Sequence, residues 1–214
     1  MVSQPTVDPA PIPSPRGWRA PRPGSGHADH DGAPAAVVVS GPTAVGKGTV
    51  VRALVAAHPE VVVSRSVTTR PPRPKERDGV DYDFVSEAQF DALVAQGGLL
   101  EWAVVHGRHR YGTPRQPVVE AVAAGHTVVL EIDLQGARQV RTTWPEARQV
   151  FLAPPSWDEL VRRLRGRGTE TPDQQARRLE TARVELASAD EFDAVVVNDT
   201  VERAVESLVG LLGL

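Results

Sequence analysis

Nine residues, Gly41-Pro42-Thr43-Ala44-Val45-Gly46-Lys47-Gly48-Thr49, carry the spacing Gly, four residues, Gly, Lys. Glycines so placed let a backbone curl until successive N–H groups point inward and cradle phosphate oxygens. Lys47 adds a full charge where the β- and γ-phosphates of a nucleotide would lie. The strict pattern has Ser or Thr directly after the lysine, to hold Mg²⁺; here Gly48 stands there and Thr49 follows. Three more segments carry chemistry: an Arg- and Pro-rich stretch at 68–79, the acids Glu131 and Asp133, and a second Arg-rich stretch at 162–183. A phosphate loop with added arginines and acids points to phosphoryl transfer, not simple binding. Such transfer needs charge neutralisation and in-line positioning more than covalent chemistry.

The elements that must position these residues follow from pattern. Apolar runs predict strands at 35–40, 61–64, 127–132, 149–152 and 194–197. Helices are predicted at 47–57, 114–124, 134–141 and 201–212. Capping boxes at Ser86 and Ser156 start two more, reaching Gln96 and Arg165, and Thr171-Pro172 starts another. Short apolar strands alternating with helices make an α/β fold, a P-loop parallel sheet core flanked by helices on both faces. Residues 68–113 break that rhythm. Short strands at 82–85, 99–105 and 108–111, the last two forming a hairpin about His106-Gly107, predict an inserted mixed, antiparallel subdomain, with 68–79 as a surface loop. In open α/β sheets ligands lie beyond the carboxyl ends of the strands, and the four segments follow predicted strands or interrupt the sheet pattern.

Composition narrows the classes. A length of 214 residues and a hydrophobic content of 41% suit one domain with a sizeable core. A net charge of −3 provides no global basic field for nucleic acid. The absence of cysteine excludes disulfides and thiolate chemistry. No apolar run approaches a membrane span. Residues 1–34 hold eight of the 19 prolines and few large apolar side chains, which predicts a disordered tail without a targeting signal and a cytoplasmic protein. Homo-oligomerisation stays open.

The stretch from Thr69 to Val85, with Thr68 before it, resembles the guanylate kinase signature: Thr-Thr-Arg, two residues, Arg, then an acid, a Gly and Tyr-x-Phe. The resemblance covers residues 37–212. It implies a bacterial-type nucleoside monophosphate kinase that transfers the γ-phosphate of ATP to GMP or dGMP, with Mg²⁺. By that resemblance Arg70, Arg73 and Tyr82 clamp the GMP phosphate, and Glu101 reads guanine. Guanine offers N1–H and N2–H₂ as neighbouring donors to one carboxylate, a pair that adenine lacks. Ser66 approaches the base O6, Tyr111 and Thr113 hold phosphate and base, and Asp133 lies near acceptor and metal. Arg163, Arg167 and Arg178 match the lid arginines, and Asn198 the adenine-side loop. The implied division is a core at 35–65 and 115–214, a GMP-binding subdomain at 66–114 and a lid at about 156–185. Either Thr49 or Asp133 would approach Mg²⁺ through water, with no certain protein ligand. The alternative, a non-catalytic guanylate-kinase-like module that binds protein partners, would lose the phosphate loop or the lid arginines. This chain keeps both.

Overall fold

The computed structural model describes residues 36–105, 108–166 and 172–214. The tail, His106-Gly107 at the hairpin tip, and Arg167 and Thr171 in the lid lie outside the described residues.

β1 (Ala36–Ser40) is buried along its whole length. It lies at the centre of a five-stranded sheet with β2 (Val61–Val63), β7 (Thr127–Glu131), β8 (Arg148–Ala153) and β9 (Ala194–Val197), in the order β2-β7-β1-β8-β9. Every pairing in it is parallel. Alternate residues of β1 serve opposite faces. Val37 and Val39 pack with Val50 and Leu54 of α1 (Lys47–Ala57), Leu160 of α5 (Trp157–Arg165) and Leu208 of α7 (Val201–Leu212). Ala36 and Val38 pack with Val118 of α3 (Arg115–Ala123) and Val140 of α4 (Leu134–Thr143). A strand covered on both sides must be apolar throughout, which is why its alternation is invisible in sequence.

The insertion is a second sheet, β4-β3-β6-β5. It comprises β3 (Val67–Thr68), β4 (Asp83–Phe84), β5 (Leu99–Val105) and β6 (His109–Pro114), with α2 (Glu87–Ala95) between β4 and β5. The Ser86 capping box is complete: Ser86 Oγ accepts from Gln89 N–H and Gln89 Oε1 accepts from Ser86 N–H. At Ser156 the side chain accepts from Glu159 N–H, while the Glu159 carboxylate binds Arg162 and Arg163.

One expectation needs correction. Residues 68–79 are not wholly a surface loop. Thr68 belongs to β3, pairing parallel with β4 and antiparallel with β6, and both Thr68 and Arg70 are buried. Two residues are too short a run for any periodicity to reveal. β5 spans 99–105 as predicted, and its ladder shifts between Leu99 and Glu101. Leu99, Leu100 and Glu101 are consecutively buried, which strict alternation forbids and a bulge permits.

Candidate active site

The phosphate loop joins β1 to α1. For its N–H groups to face inward its carbonyls must face outward, and a buried carbonyl needs a donor. Two side chains meet that need at Val45. Asn198 Nδ2 donates to Val45 O at 2.8 Å, and Arg163 Nη1 to the same oxygen at 3.1 Å. Arg163 also donates to Asn198 O at 3.0 Å and to Glu159 Oε1 at 2.7 Å. Both residues therefore brace the outer face of the loop. Lys47 Nζ curls back to Gly41 O at 2.5 Å. Thr43 N–H donates to Glu185 Oε2 at 3.2 Å, a contact from α6 (Pro172–Ala187) that no sequence signal announced. Glu185 is buried, and burial lifts its carboxyl above the ordinary range, opposed by the nearby Lys47 charge. Arg178 lies on the same helix, partly buried. A cavity of about 310 Å³ opens beside the loop, lined by Thr43, Gly46, Lys47, Gly48, Thr49 and Glu131 among others.

Gly41 is held at φ 145°, and a β-carbon there would lie 2.2 Å from the Leu152 carbonyl oxygen. Gly41→Ala is expected to lose about 2–4 kcal/mol of stability, read as a lower urea midpoint at unchanged slope.

The second half of the site lies on the inserted sheet. Arg70 donates through Nε to the Tyr111 hydroxyl at 2.9 Å and forms a two-bond fork with Glu76 at 2.9 and 3.0 Å. Its guanidinium carbon sits 5.5 Å from the Tyr82 ring centre, and Tyr82 meets Tyr111 edge-on at 6.0 Å. Arg73 is exposed, its backbone N–H tied to Glu76. Ser66 precedes β3 and accepts from Asp83 N–H through its carbonyl. Glu101 is only 7% exposed and takes a 2.6 Å bond from Thr113 Oγ1. Burial, less the Thr113 bond, raises its carboxyl from 4.5 to about 7. Arg110, without an assigned role from sequence, bridges Glu87 and Asp91 and stacks on Phe90. It fastens the hairpin to α2.

Helix α4 joins the halves. Asp133 caps it, accepting from Gly136 N–H at 2.8 Å. Gln139 pairs with Trp102 as a strand would, accepting from its N–H at 3.0 Å and donating to its carbonyl at 2.8 Å. Thr143 Oγ1 donates to Leu100 O at 2.6 Å. These bonds dock β5 on α4 and set Glu101 beside Gly136 and Asp133. Gln139, Thr143 and Glu185 were missed from sequence because each acts through a contact between distant segments. Among the described residues no cluster of three or more His, Asp or Glu side chains would hold a metal by itself.

A phosphate loop beyond the central strand of a parallel sheet, joined through one helix to a second sheet with a buried acid and an arginine fork, is the plan of a P-loop nucleotide kinase. Residues 33–213 match the family model described as Guanylate kinase. The chain is 74% identical over 185 residues to the guanylate kinase of Cutibacterium acnes, covering 86% of this chain and 93% of that one. It is 64% identical over 176 residues to the guanylate kinase of Nocardia farcinica, covering 82% and 91%. The crystal structure of guanylate kinase from Anaplasma phagocytophilum superposes with a TM-score of 0.65 at 30% identity, covering 85% and 86%. The chain belongs to the guanylate kinase family.

Proposed function

We propose that this protein transfers the γ-phosphate of ATP to GMP, and to dGMP, giving ADP and GDP or dGDP. The observation that carries the acceptor is the buried Glu101–Thr113 pair beside the Arg70–Tyr111 contact. A carboxylate without competing water is suited to the paired donors of guanine, and it leaves a buried charge unmatched against adenine.

The division of labour follows from charge. The attacking group is an oxygen of the GMP phosphate, already largely ionised near neutral pH, so no general base is needed. The difficulty is bringing two polyanions together. Loop N–H groups and Lys47 hold the donor phosphates. Arg70, Arg73, Tyr82 and Tyr111 hold the acceptor phosphate, since guanidinium forks fit phosphate oxygens. Glu101, Thr113 and Ser66 hold the base. Asp133, at the start of α4, orients the acceptor. Arg163 and Asn198 keep the loop open from behind, a role we place ahead of direct contact with adenine. Arg178 and Arg167 would bring positive charge to the donor phosphates in the transition state. Mg²⁺ arriving with ATP supplies charge neutralisation at the transferring phosphate. Thr49 and Glu131, which share the cavity with Lys47, offer hard oxygen donors that would hold it directly or through water, and Asp133 would approach it through water.

No described helix is long and apolar enough to cross a membrane; we place the enzyme in the cytoplasm. A coupled ADP-release assay with GMP, dGMP, AMP, CMP and UMP tests the reading. Absence of turnover with GMP, or equal turnover with AMP, overturns it, and the first of these would favour a protein-binding module instead.

One packing contact tests the base pocket. A β-carbon on Gly136 would stand 2.8 Å from Glu101 Oε2. Gly136→Ala is expected to push the carboxylate aside and raise the KM for GMP about 10- to 100-fold, with little change in the KM for ATP.

A further inference from the structure

A guanidinium carries five N–H donors, and the Arg70 set is nearly committed. Nη1 donates to Pro71 O at 2.8 Å and to Glu76 Oε2 at 2.9 Å. Nη2 donates to Glu76 Oε1 at 3.0 Å, and Nε to the Tyr111 hydroxyl at 2.9 Å. That leaves one Nη2 hydrogen. It points along the same edge as Nε–H, beside the Tyr111 hydroxyl. Glu76 thus closes the end of the fork, while the side edge holds the Tyr111 hydroxyl and one uncommitted Nη2–H. The same carboxylate takes the Arg73 backbone N–H at 2.7 Å, so it also sets the path of the chain between the two arginines. Tyr82 and Phe84 lie 5.5 and 5.7 Å from the Arg70 guanidinium carbon and restrict its tilt.

We propose that Glu76 is a positioning residue for the acceptor: it locks the end-on edge of Arg70 so that the remaining edge, shared with the Tyr111 hydroxyl, meets the GMP phosphate. The inference rests on the reading of Arg70 as a phosphate clamp. Its electrostatic consequence is specific. Arg70 and Glu76 together are neutral, so Arg70 contributes direction more than net charge, and exposed Arg73 adds positive charge. The same pairing matches the charge of an arginine buried to 8% exposure.

Glu76→Gln separates this role from its rivals. Glutamine keeps the shape but offers one acceptor oxygen, and its NH₂ would face a guanidinium N–H. GMP and guanosine, which differ by the phosphate alone, are titrated calorimetrically against both proteins. The GMP dissociation constant is expected to rise about tenfold, the loss of one charge-assisted bond, while that of guanosine is unchanged. The KM for GMP should rise with it, kcat staying within about threefold and the KM for ATP unchanged. Glu76→Asp, which keeps the charge, should recover part of the GMP affinity. Tighter GMP binding by Glu76→Gln would make the carboxylate a competitor of the phosphate and overturn the proposal. Equal weakening of GMP and guanosine, or no change in either, would reduce Glu76 to a loop brace. If the unaltered protein itself binds GMP no better than guanosine, the acceptor reading beneath the inference fails instead.

Discussion

Lys47→Ala is expected to reduce turnover by about 10³-fold or more while leaving GMP affinity within about twofold. Lys47 stands at the first turn of α1, and its ammonium now bonds Gly41 O at 2.5 Å, so it is poised over the loop mouth. With nucleotide bound it would follow the migrating charge on the transferring phosphate, where alanine provides nothing. The loop itself should survive, since Val45 O is held by Asn198 and Arg163 rather than by Lys47. The GMP contacts proposed above, Arg70 just after β3 and Glu101 in β5, belong to the other sheet's subdomain. Single-turnover kinetics and GMP titration on the same preparation read the two effects. Disappearance of GMP binding together with turnover would mean that donor and acceptor sites are not separate.

Glu101→Ala is expected to lower kcat/KM for GMP by about 10³-fold and to leave that for AMP nearly unchanged, so selectivity collapses. Loss of ATP affinity alone would contradict the assignment. The same residue gives a pH signature. Burial raises its carboxyl to about 7. The folded protein therefore holds this proton more tightly than the unfolded chain, whose carboxyl sits near 4.5. This group's contribution is greatest below pH 4.5 and declines as pH rises through about 7. Guanine needs the ionised form, so its affinity runs the other way. It should increase about tenfold between pH 6 and pH 8, most of it near the carboxyl's own pKa. The GMP phosphate titrates in the same region, with a pKa of about 6. Glu101→Ala supplies the baseline that isolates the carboxylate's share, and identical pH profiles for the two proteins would refute it.

Much of the core was legible because its signals are local. Helix α1 runs Lys47–Ala57 and α7 Val201–Leu212, as their patterns predict. β9 runs Ala194–Val197 as predicted. Each depends on consecutive residues that share one environment. The insertion was harder. Its strands β3 and β4 have two residues each, and they hold together by pairing with segments far along the chain. The Arg70–Glu76 fork was readable only as charge in a basic stretch. Charge runs usually face water, and nothing in the order of residues says that Tyr82, Phe84 and Tyr111 bury this one.

By itself the sequence determined that this protein has a phosphate loop on a parallel sheet, and which residue types could hold an acceptor. Those properties reside in short spacings, since a loop of nine residues carries its own glycines and its own lysine. Tertiary structure alone decided how the site is braced and aimed. Asn198 and Arg163 hold Val45, Glu185 takes Thr43 N–H, Gln139 docks β5, and a bulge turns Glu101 toward Gly136. Each of these joins segments tens of residues apart, or turns on where a ladder slips by one residue. Such contacts exist only after the chain has closed on itself, because burial and partner choice are properties of the packed fold and not of neighbours in the chain.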